Sequence, residues 1–378
     1  MTQRIYLDNN ASTPPDPRVV EAVIADLHNH IGNPSSVHFF GQDIKSRLSK
    51  ARQTIATYLN VRPREVIFTS GGTEAINMVL RGVLFNNPQG HVISSNVEHS
   101  AVFATLKDLE KRGGAITFLS PGEWGAASVD AVRAALRPNT TLIALMAVNN
   151  ETGVKTDIHA IASLAKELNI PFVVDGVALL GKEAFTIHGG VSAMCFGGHK
   201  LHAPKGIGCA FIRNNLKLIP QITGGDQEFG FRAGTENMPG IIGLAKAVEI
   251  LKNELPEASI RMENLRNKLE KEIMAKLPNV IVNGQGPRVV NTSNLAFMGV
   301  EGEVLLTNLD LEGIAVSHGS ACASGALEPS RILLNMGISP ERASSSIRFS
   351  LSRFTTEAEI DHTIDVIVKV VSRLRKSI

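Results

Sequence analysis

The strongest constraint on the fold of this chain is a rhythm. Short apolar runs rich in β-branched residues alternate with stretches of helical period. The runs are EVIFTS (65–70), HVISSN (91–96), TLIALMAV (141–148) and IPFVVDG (170–176). Between them lie GTEAINMVLRGVL, SAVFATLKDLEKRG and IHAIASLAKELN. A strand that is apolar at successive positions is buried on both faces, and helices between such strands indicate a parallel sheet covered on both sides. The chain therefore predicts an α/β body.

The texture changes after about residue 255. ASIRMENLRNKLEKEIMAKL sets Leu265, Leu269, Ile273 and Leu277 at four-residue steps, as a long amphipathic helix does. Two short strand candidates come next, 280–284 and 292–298. Thr356 and Glu359 then stand in capping-box spacing before Ile360, Ile364, Ile367, Val371 and Leu374 on one helical face. This reads as a smaller α+β unit, with a boundary near Leu255, Pro256 and Glu257. The 378 residues are in keeping with about two domains.

A formal net charge of +2 gives no concentrated basic surface for nucleic acid or a membrane face. No run of about 18 apolar residues predicts a membrane span. The opening MTQRIYLDNNASTPPDPR lacks the apolar core of a signal peptide, so the cytoplasm is the expected compartment. Three cysteines, an odd count, disfavour a disulfide framework, and none stands in zinc-ligand spacing, so no metal is expected. Cys195 and Cys209 sit in apolar runs and read as buried thiols. Cys322 sits in SHGSACASGALEPS, a loop composition.

Several strands end in chemically useful residues. EVIFTS runs into Ser70, Gly71, Gly72, Thr73 and a helix, whose free N–H groups suit an anion; Thr73 could equally be a plain cap. HVISSN leads to Glu98 and His99, a residue that stacks on a ring, moves protons or caps a helix. TLIALMAV leads to Asn149 and Asn150. Asp175 closes IPFVVDG, where parallel sheets bind ligands, or caps the next segment. Lys200 comes after VSAMCFGGH, where desolvation frees an amine for Schiff-base chemistry; a lone lysine is otherwise solvated. Arg348, in SSSIRFSLSRF, is a carboxylate clamp or a surface ion pair. Four such strand ends on one parallel sheet converge on one crevice.

In order, YLDNNASTPPDPRV, GNPSSVH, FTSGGTEAIN, EHSAV, NNETGV, the Asp175 strand, GHKLHAPKGIG, GFRAGTEN, SHGSACASGALEPS and IRFSLSRFTTE resemble the cysteine desulfurases of the NifS/IscS type. These are class V aminotransferase relatives with the pyridoxal 5′-phosphate (PLP) fold of type I. The resemblance spans nearly the whole chain. It implies a large PLP-binding domain over 14–256, with a mainly parallel seven-stranded sheet flanked by helices. It implies a small α+β domain from 1–13 and 257–378 that carries the catalytic-cysteine loop. Lys200 resembles the Schiff-base lysine and His99 the residue stacked on the ring. Asp175 would pair with the pyridine nitrogen, and Asn150 would approach the ring oxygen. Gly72, Thr73 and His199 match the phosphate cup. Thr235 corresponds to a residue that reaches the partner subunit's phosphate, which implies a homodimer. Arg348 matches the holder of the substrate carboxylate, Asn33 borders the substrate, and Cys322 matches the nucleophile. The implied reaction takes L-cysteine to L-alanine. Sulfur remains as a persulfide on Cys322, for a sulfur-acceptor protein of iron–sulfur cluster or thio-cofactor synthesis.

The chain departs from that pattern at three places. Ala178 stands where the family usually has glutamine, and Gly197 where it has serine. GGDQEFG puts Asp226 and Phe229 where the family commonly has glycine and arginine. These departures keep two other readings open: another fold-type-I lyase or transaminase, such as a selenocysteine lyase, or a catalytically impaired scaffold homologue. Cys322 weighs against a transaminase, which needs no loop nucleophile. The missing donors predict weaker PLP retention.

Overall fold

The computed structural model describes residues 4–319 and 329–376. Cys322 and most of its glycine- and serine-rich segment lie outside the described residues.

The chain opens with strand β1 (Ile5–Tyr6) and helices α1 (Pro17–Asn29) and α2 (Phe39–Leu59). Then come β2 (Val66–Thr69), α3 (Gly72–Leu84), β3 (His91–Ser95), α4 (Ser100–Lys111), β4 (Ala115–Leu119) and α5 (Val129–Ala134). The middle of the chain forms β5 (Thr140–Met146), α6 (Ile158–Glu167), β6 (Phe172–Asp175), β7 (Ala193–Gly197), β8 (Gly208–Ile212) and α7 (Met238–Lys276). The remainder is β9 (Val280–Val282), β10 (Thr292–Phe297), α8 (Gly302–Leu311), β11 (Ile314–Ala315), α9 (Arg331–Asn335), α10 (Pro340–Ser344), β12 (Ser346–Ser350) and α11 (Glu357–Lys376).

Seven strands form one sheet in the order β2-β8-β7-β6-β5-β3-β4. All neighbours are parallel except β8, which is antiparallel to both β7 and β2. The α/β expectation with a mainly parallel sheet is met. Alternate residues of each central strand enter different cores. Ile143, Leu145, Phe172 and Val174 pack against α2, α6 and α7 on one face. Leu142, Ala144 and Val173 pack against α3 and α4 on the other. Burial on both faces explains why these strands read as continuous apolar runs rather than alternating ones.

A second, antiparallel sheet of order β12-β10-β9 packs its own core against the later half of α7 and against α8 and α11. Strand β1 pairs with β11, and Leu7 enters this second core. The Thr356–Glu359 capping box forms: Glu359 accepts from the Thr356 N–H at 2.8 Å, and Thr356 Oγ1 accepts from the Glu359 N–H at 3.3 Å.

Helix α7 begins about twenty residues before the periodic stretch that signals it, and Pro256 lies inside it. Leu251 and Leu255 before that proline join the large core, whereas Met262, Leu265 and Leu269 after it join the small one. The change of texture near residue 255 is thus a change of packing partner within one helix.

Candidate active site

The C-terminal ends of β2, β3, β5, β6 and β7 open onto one cleft of about 180 Å³. Gly72, Thr73, His99, Asn150, Asp175 and Lys200 all line it, with His199 and Arg348 beside them. Strand ends far apart in sequence meet here because the sheet runs them in one direction, as the sequence led one to expect.

Each residue is set by its local fold. Helix α3 starts at Gly72 with Gly71 as its N-cap and no side chain capping it, so Thr73 is not the cap. A Cβ on Gly72 would meet Val177 Cγ2 at 2.6 Å, so only glycine lets this backbone lie so close. His99 caps α4, its Nδ1 accepting the Ala101 N–H at 3.1 Å, and it also lines the cleft. That bond leaves the proton on Nε2.

Asp175 Oδ1 accepts the Val177 N–H at 3.0 Å. Burial pushes its carboxyl above the usual carboxylate range, partly offset by the Val177 N–H and the Lys200 charge. Lys200 ends a single turn, Gly198–Lys200, directly after β7. Its Nζ donates to the carbonyls of Asn10 and, at 2.9 Å, Ala11. Burial, then the Lys200 charge, holds His199 down at about 4, so it is a neutral ring. The Asn150 side-chain oxygen is buried with no partner among the described residues. Arg348 is 1% exposed, not a surface residue; it donates to Asp8 Oδ1 at 2.7 Å and to the Asn150 carbonyl at 2.9 Å.

Two candidates fall elsewhere. Asn33 is exposed, does not line the cleft, and accepts the Ser35 N–H at 2.9 Å. Thr235 is exposed in a separate recess beside Ser70 and Arg232. The substituted positions are informative too. Ala178 lines the cleft. A Cβ on Gly197 would stand 3.5 Å from the Gly72 nitrogen and 3.6 Å from Val177 Cγ1, so a serine has room there. Glu228 and Phe229 both have positive φ, 49° and 59°. Glu228 accepts two bonds from Arg52, at 2.6 and 2.7 Å, and Phe229 lies over the same guanidinium.

Sequence reasoning gave no role to Asn10 and Lys182, which line the cleft, or to Asp8, which pairs with Arg348 there. Asn10 is a hub: its N–H donates to Ser350 Oγ at 2.9 Å, its Nδ2 to Thr292 Oγ1 at 2.9 Å, and its Oδ1 accepts from Asn291 at 3.1 Å. The polar run DNNAS was the only signal, and it carries no periodicity.

The chain on both sides of Cys322 is fastened at the cleft. Ser317 and Arg348 exchange backbone bonds at 3.2 and 2.7 Å. Beyond the segment, Ser330 donates to Glu151, and Arg331 donates to the carbonyls of Asn96 and Glu98 at 2.5 and 2.6 Å. Cys195 and Cys209 are buried, as expected; burial pushes both thiols up, Cys209 to about 12. No helix among the described residues is long and apolar enough to cross a membrane.

Comparison with known proteins agrees with this geometry. Residues 5–363 match the aminotransferase class-V family. A cysteine desulfurase of Nostoc sp. is 43% identical over 374 residues, 98% of this chain and 94% of that protein. A solved NifS-like protein superposes with a TM-score of 0.91 at 34% identity, covering 98% of this chain and all of the other. The structure of SspA in complex with cysteine superposes with a TM-score of 0.83 at 31% identity, covering 94% and 100%. The chain belongs to the aminotransferase class-V family, in the branch whose curated relatives are cysteine desulfurases.

Proposed function

We propose that this protein is a PLP-dependent cysteine desulfurase. The observation that carries the reading is one cleft in which a lysine amine, Lys200, and a buried carboxylate, Asp175, stand at the open N-terminus of α3.

The residues present fit the cofactor. The free N–H groups at Gly72 and Thr73, with neutral His199, would hold its phosphate. Asp175 would hold a protonated ring nitrogen, and the unspent side chain of Asn150 would face the ring oxygen. His99 would lie on the ring. Bound, the cofactor supplies an aldehyde carbon that captures the substrate amine and a ring that draws electrons from bonds at the α-carbon.

The chain's own residues do the rest. Arg348 binds the substrate carboxylate. Lys200 and His99 move protons, His99 through Nε2. The Cys322 thiolate attacks the sulfur of L-cysteine. A sulfur–sulfur bond forms and the carbon–sulfur bond breaks. The carbon keeps the electron pair, takes a proton and leaves in L-alanine; the sulfur stays on Cys322 as a persulfide. The anchored flanks of the Cys322 segment support this assignment. A sulfur-acceptor protein, an iron–sulfur scaffold or a thio-cofactor carrier, then receives the sulfur. A free nucleophilic thiol suits the reducing cytoplasm.

We also read the assembly as a homodimer of two-domain protomers, with a large domain over 14–256 and a small one from 1–13 and 257–378. Leu27, Ile31, Val37 and Phe39 are 64–88% exposed along one stretch of chain, an apolar surface that a second copy would cover. Thr235 stands outside its own cleft, as a residue serving the partner's phosphate would. The pairing of β1 with β11 supports joining the N-terminal segment to the small domain.

The test is an absorbance titration with PLP, then addition of L-cysteine with a dithiol reductant that frees persulfide sulfur as sulfide, and assays for alanine and sulfide, in wild type and Cys322→Ala. A protein-bound absorbance band that persists after free PLP is removed, with alanine and sulfide lost in the variant, supports the reading. A band with product undiminished in Cys322→Ala moves the activity to another lyase or transaminase. No band at any PLP concentration favours the scaffold homologue.

A further inference from the structure

Lys182 is not needed by the reaction above, yet its side chain lines the same cleft. It closes the short turn after β6, where Gly181 takes φ 85° and a Cβ there would meet Leu201 Cβ at 2.9 Å. The residue is 2% exposed. Its Nζ donates to the Lys200 carbonyl at 3.0 Å, and its own carbonyl accepts from Ser259 Oγ at 2.7 Å.

No carboxylate pairs with this amine among the described residues. The charges that act on it, Lys200 on the turn after β7 and Arg353 beyond β12, are both positive. His199 and His202 feel its charge in turn and are themselves held neutral. The carboxylates around Arg353 are already engaged: Asp16 by Arg18 and Arg353, and Glu254 by the same two arginines. Asp175 is bound by the Val177 N–H and is influenced by His99 and Lys200.

We propose that Lys182 is a second basic residue of the cofactor cleft, an amine buried without a counter-anion that takes up a proton when the anionic cofactor enters. The inference rests on the PLP reading above. Burial, then Lys200 and Arg353, holds the amine down to about 7, so near pH 8 it is largely neutral in the empty cleft. A phosphate dianion and ring oxygen brought into the same low-dielectric space favour the ammonium form. The proton needed comes from solvent, so cofactor affinity is linked to pH. Ala178, a short side chain, lines the same cleft.

The probe is pyridoxamine 5′-phosphate, which carries ring and phosphate but no aldehyde to react with Lys200. Its binding to the full-length apoprotein is measured by calorimetry in two buffers of different ionisation enthalpy, from pH 7 to pH 9. Wild type should take up roughly half to nearly one proton per ligand near pH 8, and its affinity should fall by about sevenfold to fiftyfold across the range. Lys182→Met should bind more weakly near pH 7, with no uptake and a flat profile. Lys182→Arg, whose charge is fixed, should bind well with neither uptake nor slope, and it serves if the methionine variant fails to fold. Wild type that binds without proton uptake overturns the role of Lys182 and leaves the cofactor reading intact, as does a slope that persists in a folded variant. Wild type that binds no pyridoxamine phosphate at any pH overturns both.

Discussion

Arg348 and Asp8 form an ion pair at 2.7 Å across 340 residues of chain, joining the N-terminal segment to β12 at the cleft. With the Asn150 carbonyl on its other branch, the guanidinium is fixed before any substrate arrives, and its Nε has no partner among the described residues.

Arg348→Lys should therefore raise the KM for L-cysteine about tenfold or more, since an ammonium cannot make the planar two-point contact. The Michaelis constants of the two proteins check this. Arg348→Ala should also lower stability by about 1–3 kcal/mol, because it leaves the partly buried Asp8 carboxylate without its cation. Urea denaturation measures that loss.

Glu98 gives a pH signature. Its Oε1 accepts from Ser95 at 2.6 Å, and burial pushes it from 4.5 up to about 8. The folded state thus binds a proton more tightly than the unfolded chain. The stability from that proton is fully present below pH 4.5 and is lost as pH rises to about 8. Glu98→Gln keeps the acceptor for Ser95 and should flatten this decline, by a few kcal/mol at most. Melting curves of both proteins from pH 5 to pH 9 decide it; an unchanged slope refutes the assignment.

Restoring the missing donors should tighten cofactor retention. Gly197→Ser has room for its side chain beside the Gly72 nitrogen. Each hydrogen bond to a charged group is worth about 1.5–3 kcal/mol, so Gly197→Ser and Ala178→Gln should each slow PLP loss on dialysis by about tenfold or more. Retention no better than wild type in both variants would show that the cup does not use these positions.

Thiol chemistry separates the cysteines. Cys195 and Cys209 are 0% and 1% exposed, with thiols pushed up by burial, so both should resist iodoacetamide in the native protein. All three cysteines should react in guanidinium. Peptide mass spectrometry reads each site separately, and rapid native labelling of Cys195 or Cys209 would contradict the packing.

The sequence by itself determined the body of this protein. The apolar runs 65–70, 91–96, 141–148 and 170–176 announced strands because residues buried on both faces must all be apolar, a local constraint that composition records. The strand ends announced a cleft because parallel strands deliver their C-termini to one edge. Order and spacing along the chain identified the family. Only the tertiary structure decided the relationships between distant segments. Asn10 and Ala11 cradle Lys200 from 190 and 189 residues away, Asp8 fixes Arg348, and Lys182 lines the cleft with no carboxylate pairing with it among the described residues. No periodicity marks such residues, because a polar side chain takes its partner, its desolvation and its charge from whatever the folded chain brings beside it.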